Sequence, residues 1–167
     1  MTMANIKPFD TDAAIKYSFQ WALSRNPNYY DFTNLGGDCS NFISQCLYAG
    51  ARVMNPTPIY GWYYYNINNR SPSWTSVNYL YRFLTTNKTL GPFATPIPLE
   101  SIKPGDLIQL QNNSGVFYHT LLVVEVRGEP IPEHILINAH DIDSMRRPLA
   151  TYQYSNYRCL RINGVYI

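Results

Sequence analysis

The sequence predicts an α+β fold in which N-terminal helices, one of them carrying a cysteine, pack on a C-terminal antiparallel sheet. Apolar residues recur at helical spacing in the first half of the chain, up to about residue 84. Strand-like runs separated by Gly and Pro turns follow in the second half. Because the helices precede the strands instead of alternating with them, an α+β arrangement is favoured. The length of 167 residues fits a single domain, 1–167.

Three helices are predicted in the first half, over about 11–24, 39–48 and 76–84. Asp10 or Thr11 suits the N-cap of the first helix. Two glycines form a sharp turn before the second helix, and Asp38 suits its N-cap. Residues 51–73 are rich in Pro, Asn and aromatic residues, and we expect them to form an irregular insertion.

The second half is predicted to form the sheet. A proline-rich connector, residues 91–104, leads into it. Four apolar or alternating runs follow, and Gly or Pro residues mark the turns between them. The predicted strands span 106–111, 117–126, 134–140 and 152–162, the last of which can hold one or two strands.

Composition and charge exclude several classes of protein. Hydrophobic residues make up 46% of the chain and charged residues 14%, so the chain is globular rather than disordered. A net charge of +2 without any Lys/Arg run argues against a nucleic-acid partner. No stretch is long and apolar enough to span a membrane, and Met1–Asp10 lacks the pattern of a signal peptide. Fifteen tyrosines suit a groove for a peptide or a sugar, but they equally suit a β-rich core.

Cys39 is the predicted catalytic nucleophile. It follows the Gly36-Gly37 turn and opens a helix, and a helix N-terminus favours the thiolate that attacks a carbonyl. Cys46 and Cys159 lie inside apolar patterns, which is typical of structural cysteines. Cys39 and Cys46 are too far apart on one helix for a disulfide, so at least one of the three thiols is free. No Cys or His pair has the spacing of a zinc site, and neither a metal nor a cofactor is predicted.

His119 is the predicted general base. It stands near the start of a buried strand, from which its ring can reach the N-terminus of a helix. The base needs a polar partner to fix its orientation. Asn138 and His140 alternate on the next strand and share a face, so both are candidates for this partner, with Asp141 behind them.

Three segments together resemble a known family. They are Asp38 to Gln45, Gly105 to Gln109 and His119 to Val124, supported by Tyr17 to Tyr29, Trp74 and Asn138 to Leu149. The chain resembles the bacterial "Putative amidase domain" family, which is similar to the NlpC-type and CHAP-type cell-wall cysteine hydrolases. The match covers nearly the whole chain.

This resemblance implies a papain-like fold with Cys39 as nucleophile and His119 as base. The amidase pattern has a His at position 140, whereas the NlpC-type pattern selects Asn138, so the third position stays open between them. The resemblance also implies an oxyanion region at Asp38 and the backbone N–H of Cys39. For substrate binding it points to three aromatic residues, which are Tyr29, Tyr30 and Trp74.

The function implied is hydrolysis of an amide bond in peptidoglycan, either between muramic acid and L-Ala or within the stem peptide. A phage-type lysin domain that works as a monomer, outside the cell or at the cell wall, fits this expectation. Two alternatives remain open. The same cysteine and histidine could serve an acyltransferase or a deamidating toxin. A non-catalytic, aromatic-lined glycan-binding module is also compatible with the many tyrosines, but it would need neither Cys39 nor His119.

Overall fold

The computed structural model describes residues 4–167 and confirms the α+β class. The helices are α1 (Thr11–Trp21), α2 (Cys39–Ala51), α3 (Pro72–Thr75) and α4 (Val77–Thr86). The strands are β1 (Ile6–Lys7), β2 (Tyr64–Asn66), β3 (Asn69–Arg70), β4 (Gly91–Ile97), β5 (Leu107–Gln111), β6 (Phe117–Val126), β7 (Ile135–Ala139), β8 (Ser144–Pro148) and β9 (Asn156–Tyr166).

Seven of the described strands form one antiparallel sheet in the order β1-β9-β5-β6-β7-β8, with β4 paired to the other side of β9. Strands β2 and β3 form a separate hairpin. None of the helices within residues 4–167 is long and apolar enough to cross a lipid bilayer. The first three residues of the Met1–Asp10 segment, for which no signal peptide is predicted, lie outside the described range.

Two hydrophobic clusters lie on opposite faces of this sheet. The larger packs Phe42 and Leu47 of α2 and Leu80 of α4 against one face. The smaller lies on the other face, where the short 3-10 turns at Leu99–Ser101 and Leu149–Thr151 cover it. Because side chains alternate along a strand, the central strands β5, β6, β7 and β9 contribute to both clusters. Along β6, for instance, Leu122 faces the helices and Leu121 faces away from them.

The predicted helices and central strands are confirmed, with shifts of a few residues at their ends. The connector predicted at residues 91–104 is wrong in its first half, because residues 91–97 form β4. Proline removes a ladder donor, which argues against an interior strand, but β4 pairs only with β9 and therefore tolerates Pro92 and Pro96 at the sheet edge. Strand β8 was not predicted, and within the insertion at 51–73 the hairpin and the start of α3 were also missed.

Candidate active site

Cys39 is the first residue of α2 and is only 5% exposed. Gly36 and Gly37 lead into it with φ angles of 85° and 99°, in the left-handed region that glycine adopts without strain. A Cβ at Gly37 would lie 2.6 Å from a carboxylate oxygen of Asp141. The second glycine therefore allows the loop that carries Asp141 to approach the start of the helix.

Asp38 occupies the N-cap position, as predicted, but its side chain does not cap the helix. Its carboxylate instead accepts the backbone N–H of Phe32 at 2.8 Å and the side-chain amide of Asn41 at 2.9 Å. The cap comes from Asp141, whose carboxylate accepts the N–H of Asp38 at 2.7 Å and that of Cys39 at 3.3 Å. The N-terminus of α2 thus already holds a negatively charged oxygen, as a helix N-terminus favours.

His119 and Asp141 meet Cys39 at this point. The Cys39 sulfur, a His119 ring nitrogen and an Asp141 carboxylate oxygen all lie within 4.8 Å of one another. The register of the sheet accounts for the proximity of His119 and Asp141: Leu122 is opposite Asn138 at the end of the ladder between β6 and β7, and each of the two residues lies three positions beyond that pair.

The loop between β7 and β8 is strained where it places Asp141. Asp141 and Ile142 have φ angles of 63° and 67°. A β-branched residue such as Ile142 rarely adopts this conformation, which costs about 1–3 kcal/mol. Such strain persists only where surrounding contacts stabilise it. Here the strained loop holds the Asp141 carboxylate close to the Cys39 thiol.

Burial favours the neutral forms of both the Cys39 thiol and the His119 imidazole. It raises the pKa of the Cys39 thiol to about 12, and the nearby Asp141 carboxylate acts in the same direction. Backbone N–H groups of Thr120 and Ser40 oppose this by stabilising the thiolate. Burial lowers the pKa of His119 to about 4; Asp141 opposes that shift and Arg147 adds to it. The resting pair is therefore a neutral thiol and a neutral imidazole.

Asn138 and His140 share a face, as predicted, but it is the face turned towards the helices. Asn138 donates to Ser18 of α1 at 2.9 Å and accepts the N–H of Arg146 at 2.9 Å. The side chain of His119 points to the other face of the sheet, because odd-numbered residues in this part of β6 face away from the helices. Within residues 4–167, neither Asn138 nor His140 is hydrogen bonded to it. The structure brings Asp141 to His119 instead of the two residues that sequence reasoning ranked first.

His140 is held in a pocket of its own. Its Nδ1 lies 2.5 Å from the Asp38 carboxylate, its Nε2 lies 2.8 Å from the carbonyl oxygen of Trp21, and its ring stacks on Phe42. These contacts join α1, α2 and the end of β7 beneath the loop that carries Asp141.

Arg25, which was not among the predicted site residues, binds the same loop. Its guanidinium makes two hydrogen bonds to Asp143, at 2.9 and 3.0 Å. It also forms ion pairs with Asp31 at 3.2 Å and with Asp38 at 3.6 Å. A bidentate pair between residues more than a hundred positions apart leaves no local signal in the sequence.

The aromatic candidates lie at different depths. Trp74 is wholly buried and donates its indole N–H to Asn41, so it has no exposed surface with which to contact a ligand in this fold. Its indole also stacks on Tyr29, which is partly buried. Tyr30 keeps 44% of its surface exposed, while its backbone is tied down by Tyr64 and Asn41. Of the three, Tyr30 has the most surface free to meet a ligand.

Two open cavities adjoin this group. One, of about 180 Å³, is lined by Tyr118, His119, Asp141, Ile142, Arg147 and Tyr152. The other, of about 420 Å³, is lined by Asn112, Asn113, Tyr152, Gln153 and Tyr154. Tyr152 lines both, so the two form neighbouring parts of one surface that leads to His119.

The Cys39, His119 and Asp141 side chains are also of the types that bind zinc, and three protein ligands with a fourth position open would form a catalytic site. Both carboxylate oxygens of Asp141 are, however, already hydrogen bonded to the start of α2. A metal would therefore have to share this carboxylate with two backbone donors.

Comparisons with known proteins identify the family of the chain. The "Putative amidase domain" family model matches residues 9–162. A Bacillus subtilis (strain 168) protein, described as uncharacterized protein YhbB, is 32% identical over 142 residues, which cover 83% of this chain and 43% of that protein. The chain thus spans less than half the length of this relative. No solved structure matches the chain. The chain belongs to the "Putative amidase domain" family.

Proposed function

We propose that the protein is a cysteine-dependent hydrolase that cleaves an amide bond of bacterial peptidoglycan. The observation that carries the proposal is the grouping of a thiol, an imidazole and a carboxylate at the N-terminus of one helix. Family membership supports an amidase-like hydrolase. We further propose a papain-like arrangement of the cysteine helix and histidine strand, in a monomer that acts outside the cell or at the cell wall.

In the proposed reaction, Cys39 passes its proton to His119 as its sulfur forms a bond to the substrate carbonyl carbon. His119 then gives this proton to the amine nitrogen as the C–N bond breaks, and the amine leaves. Water adds to the thioester, giving one proton to His119, and the S–C bond breaks to release the acid. The proton on His119 returns to the Cys39 sulfur, which restores the enzyme.

Asp141 has two tasks in this scheme. Its negative charge favours the imidazolium form of His119, which forms after proton transfer. In the resting enzyme it also occupies the N–H groups of Asp38 and Cys39, which are suited to the developing oxyanion. Substrate binding must therefore displace its carboxylate from at least the Cys39 N–H.

The test is digestion of purified peptidoglycan followed by mass analysis of the soluble products. We expect the wild type and a Cys46→Ala control to release the same products, and Cys39→Ala to release none while remaining folded. The masses also distinguish cleavage next to muramic acid from cleavage within the stem peptide. Release of products by Cys39→Ala, or their absence with the wild type, would contradict the proposal.

A metal-dependent hydrolase is the second candidate, because the three side chains are of the types that bind zinc. There the Cys39, His119 and Asp141 side chains would hold the ion, which would supply a nucleophile from water at neutral pH in place of the thiol. Loss of peptidoglycan hydrolysis in the presence of a chelator would favour the metal-dependent hydrolase, and an unchanged rate would favour the cysteine-dependent one.

A further inference from the structure

An arginine without a carboxylate partner lines the cavity next to His119. Arg147 lies on β8 and is partly buried. Within residues 4–167 it forms no ion pair, whereas its neighbour Arg146 pairs with Glu125 at 3.2 Å and points away from this cavity's lining. A cation that is partly removed from water and lacks a counter-ion is uncommon, since desolvation of a charge is costly.

The guanidinium of Arg147 is nevertheless fixed in place. Its Nε donates to the hydroxyl of Thr151 at 2.7 Å, and one terminal nitrogen donates to the Thr151 carbonyl at 3.1 Å. Its central carbon lies 3.6 Å from the ring centroid of Tyr152. Three N–H groups of the fork have no acceptor among the described residues, so the side chain is preorganised and still able to bind an anion.

The position of the cavity shows which part of a substrate would meet this arginine. The cavity is lined by His119 and Asp141, but not by Cys39. In the proposed reaction His119 donates its proton to the leaving amine. Groups beyond His119 therefore face the amine side of the scissile bond, and the acyl side lies towards the Cys39 sulfur.

From this we infer that Arg147 binds a carboxylate on the amine side of the scissile amide, so that the enzyme prefers leaving groups that are acidic amino acids or peptides. The inference rests on the proposed function and narrows its substrate class. Stem peptides of peptidoglycan carry such carboxylates. The bound carboxylate would also offset the effect of Arg147 on His119, whose pKa the guanidinium lowers. Substrate binding would then favour the protonated imidazole that the leaving amine needs.

The experiment measures binding in the Cys39→Ala background, where no hydrolysis occurs. The probes are a muramoyl tripeptide of L-Ala, D-Glu and diaminopimelate with free carboxylates, and the same compound with every carboxyl group converted to a carboxamide. Calorimetry gives both dissociation constants. We expect the free acid to bind roughly 10-fold or more tightly, as for a hydrogen-bonded charge pair.

Variants of the two adjacent arginines provide the control. Adding Arg147→Gln should bring the ratio of the two dissociation constants close to one, whereas Arg146→Gln should leave the ratio unchanged. Arg147→Lys, which keeps the charge but loses the fork, should retain part of the ratio. Thermal melting of each variant verifies that it is folded.

Equal affinity for the two probes, or a ratio that survives Arg147→Gln, overturns the inference and leaves the proposed hydrolase intact. If neither probe binds to any variant, the peptidoglycan assignment fails and this inference fails with it.

Discussion

Two buried histidines lie on opposite faces of the sheet, each close to an aspartate, and they differ in what surrounds them. His140 has both ring nitrogens next to oxygen atoms and its ring stacked on Phe42. The ring of His119 hydrogen bonds to no other group in the described chain and borders a cavity. Both side chains are almost fully buried, since His140 is 1% exposed and His119 is 4% exposed. Burial alone therefore does not distinguish the two histidines; what supports the proposed role of His119 is its free hydrogen-bonding capacity beside the Cys39 thiol.

The largest expected effect comes from His119→Ala. The variant should lose roughly 100-fold or more of the wall-hydrolysis rate, because the other group near the Cys39 sulfur, the Asp141 carboxylate, is already hydrogen bonded to the start of α2. Its unfolding free energy should change less than that of His140→Ala, since the ring of His119 has fewer contacts. The rate of product release from purified walls measures the effect. A near-wild-type rate of His119→Ala would show that His119 is not the general base.

His140→Ala should mainly reduce stability. It removes one hydrogen-bonding partner of the buried Asp38 carboxylate and opens a cavity against Phe42, at a cost of about 2–5 kcal/mol. Urea unfolding at neutral pH measures this, and His134→Ala, at a more exposed residue outside these contacts, is the matched control with an effect near zero. A His140→Ala protein that unfolds like the wild type would mean that these contacts contribute no net stability.

The pH dependence of stability should distinguish His119 as well. Its pKa is about 4 in the folded protein and 6.5 in the unfolded reference. Between these values the unfolded chain binds more protons, so stability falls as the pH drops from 6.5 to 4, by roughly 3 kcal/mol in total. Denaturant titrations across this range should show the loss, and His119→Gln should remove this part of it. An identical pH profile for both proteins would contradict the assignment.

Asp141→Asn should have a smaller effect than loss of the base, about 10-fold on the hydrolysis rate. The amide keeps the shape and its single oxygen can still accept one of the two N–H groups of α2, but it no longer favours the imidazolium. Asp143→Asn, in the same loop but paired with Arg25 near the surface, should retain most activity. If Asp143→Asn proves the more damaging change, the charge of Asp141 is not what assists His119.

A chelator should have no effect on the rate. In the proposed mechanism the Cys39, His119 and Asp141 side chains act directly, without a bound ion. Dialysis against a chelator followed by a wall-digestion assay measures this. Loss of activity that zinc restores would instead favour the metal-dependent alternative.

Sequence reasoning singled out Cys39 and His119, which the fold brings together, because their local patterns, a Gly-Gly helix start and a strand entry, carry the signal. It did not rank Asp141 first, because the choice depends on the offset between β6 and β7. Asn138 and His140 were known to share a face with each other, but their relation to His119 required the pairing of Leu122 with Asn138. A one-residue change in that offset reverses the face.

The other misses have related causes. Local sequence gives no measure of depth, so Trp74 could not be separated from an exposed aromatic residue. Arg25 pairs with Asp143, which is distant in the sequence, and Arg147 lines a cavity that exists only in the folded chain. Neither could be singled out beforehand, because an arginine in a polar segment is ordinarily a surface residue. Strand β4 was missed because two prolines argue against a strand unless its edge position is known.

The most direct test of the central claim, that Cys39 is the nucleophile, is to detect the acyl-enzyme. The wild-type protein is mixed with soluble muropeptides, quenched in acid within a turnover, and mapped by mass spectrometry after proteolysis. The account predicts an adduct, with the mass of the acyl fragment, on the peptide that contains Cys39, and none in Cys39→Ala. Turnover by Cys39→Ala at the wild-type rate, or an adduct on Cys46 or Cys159 of the wild-type protein, would contradict this claim.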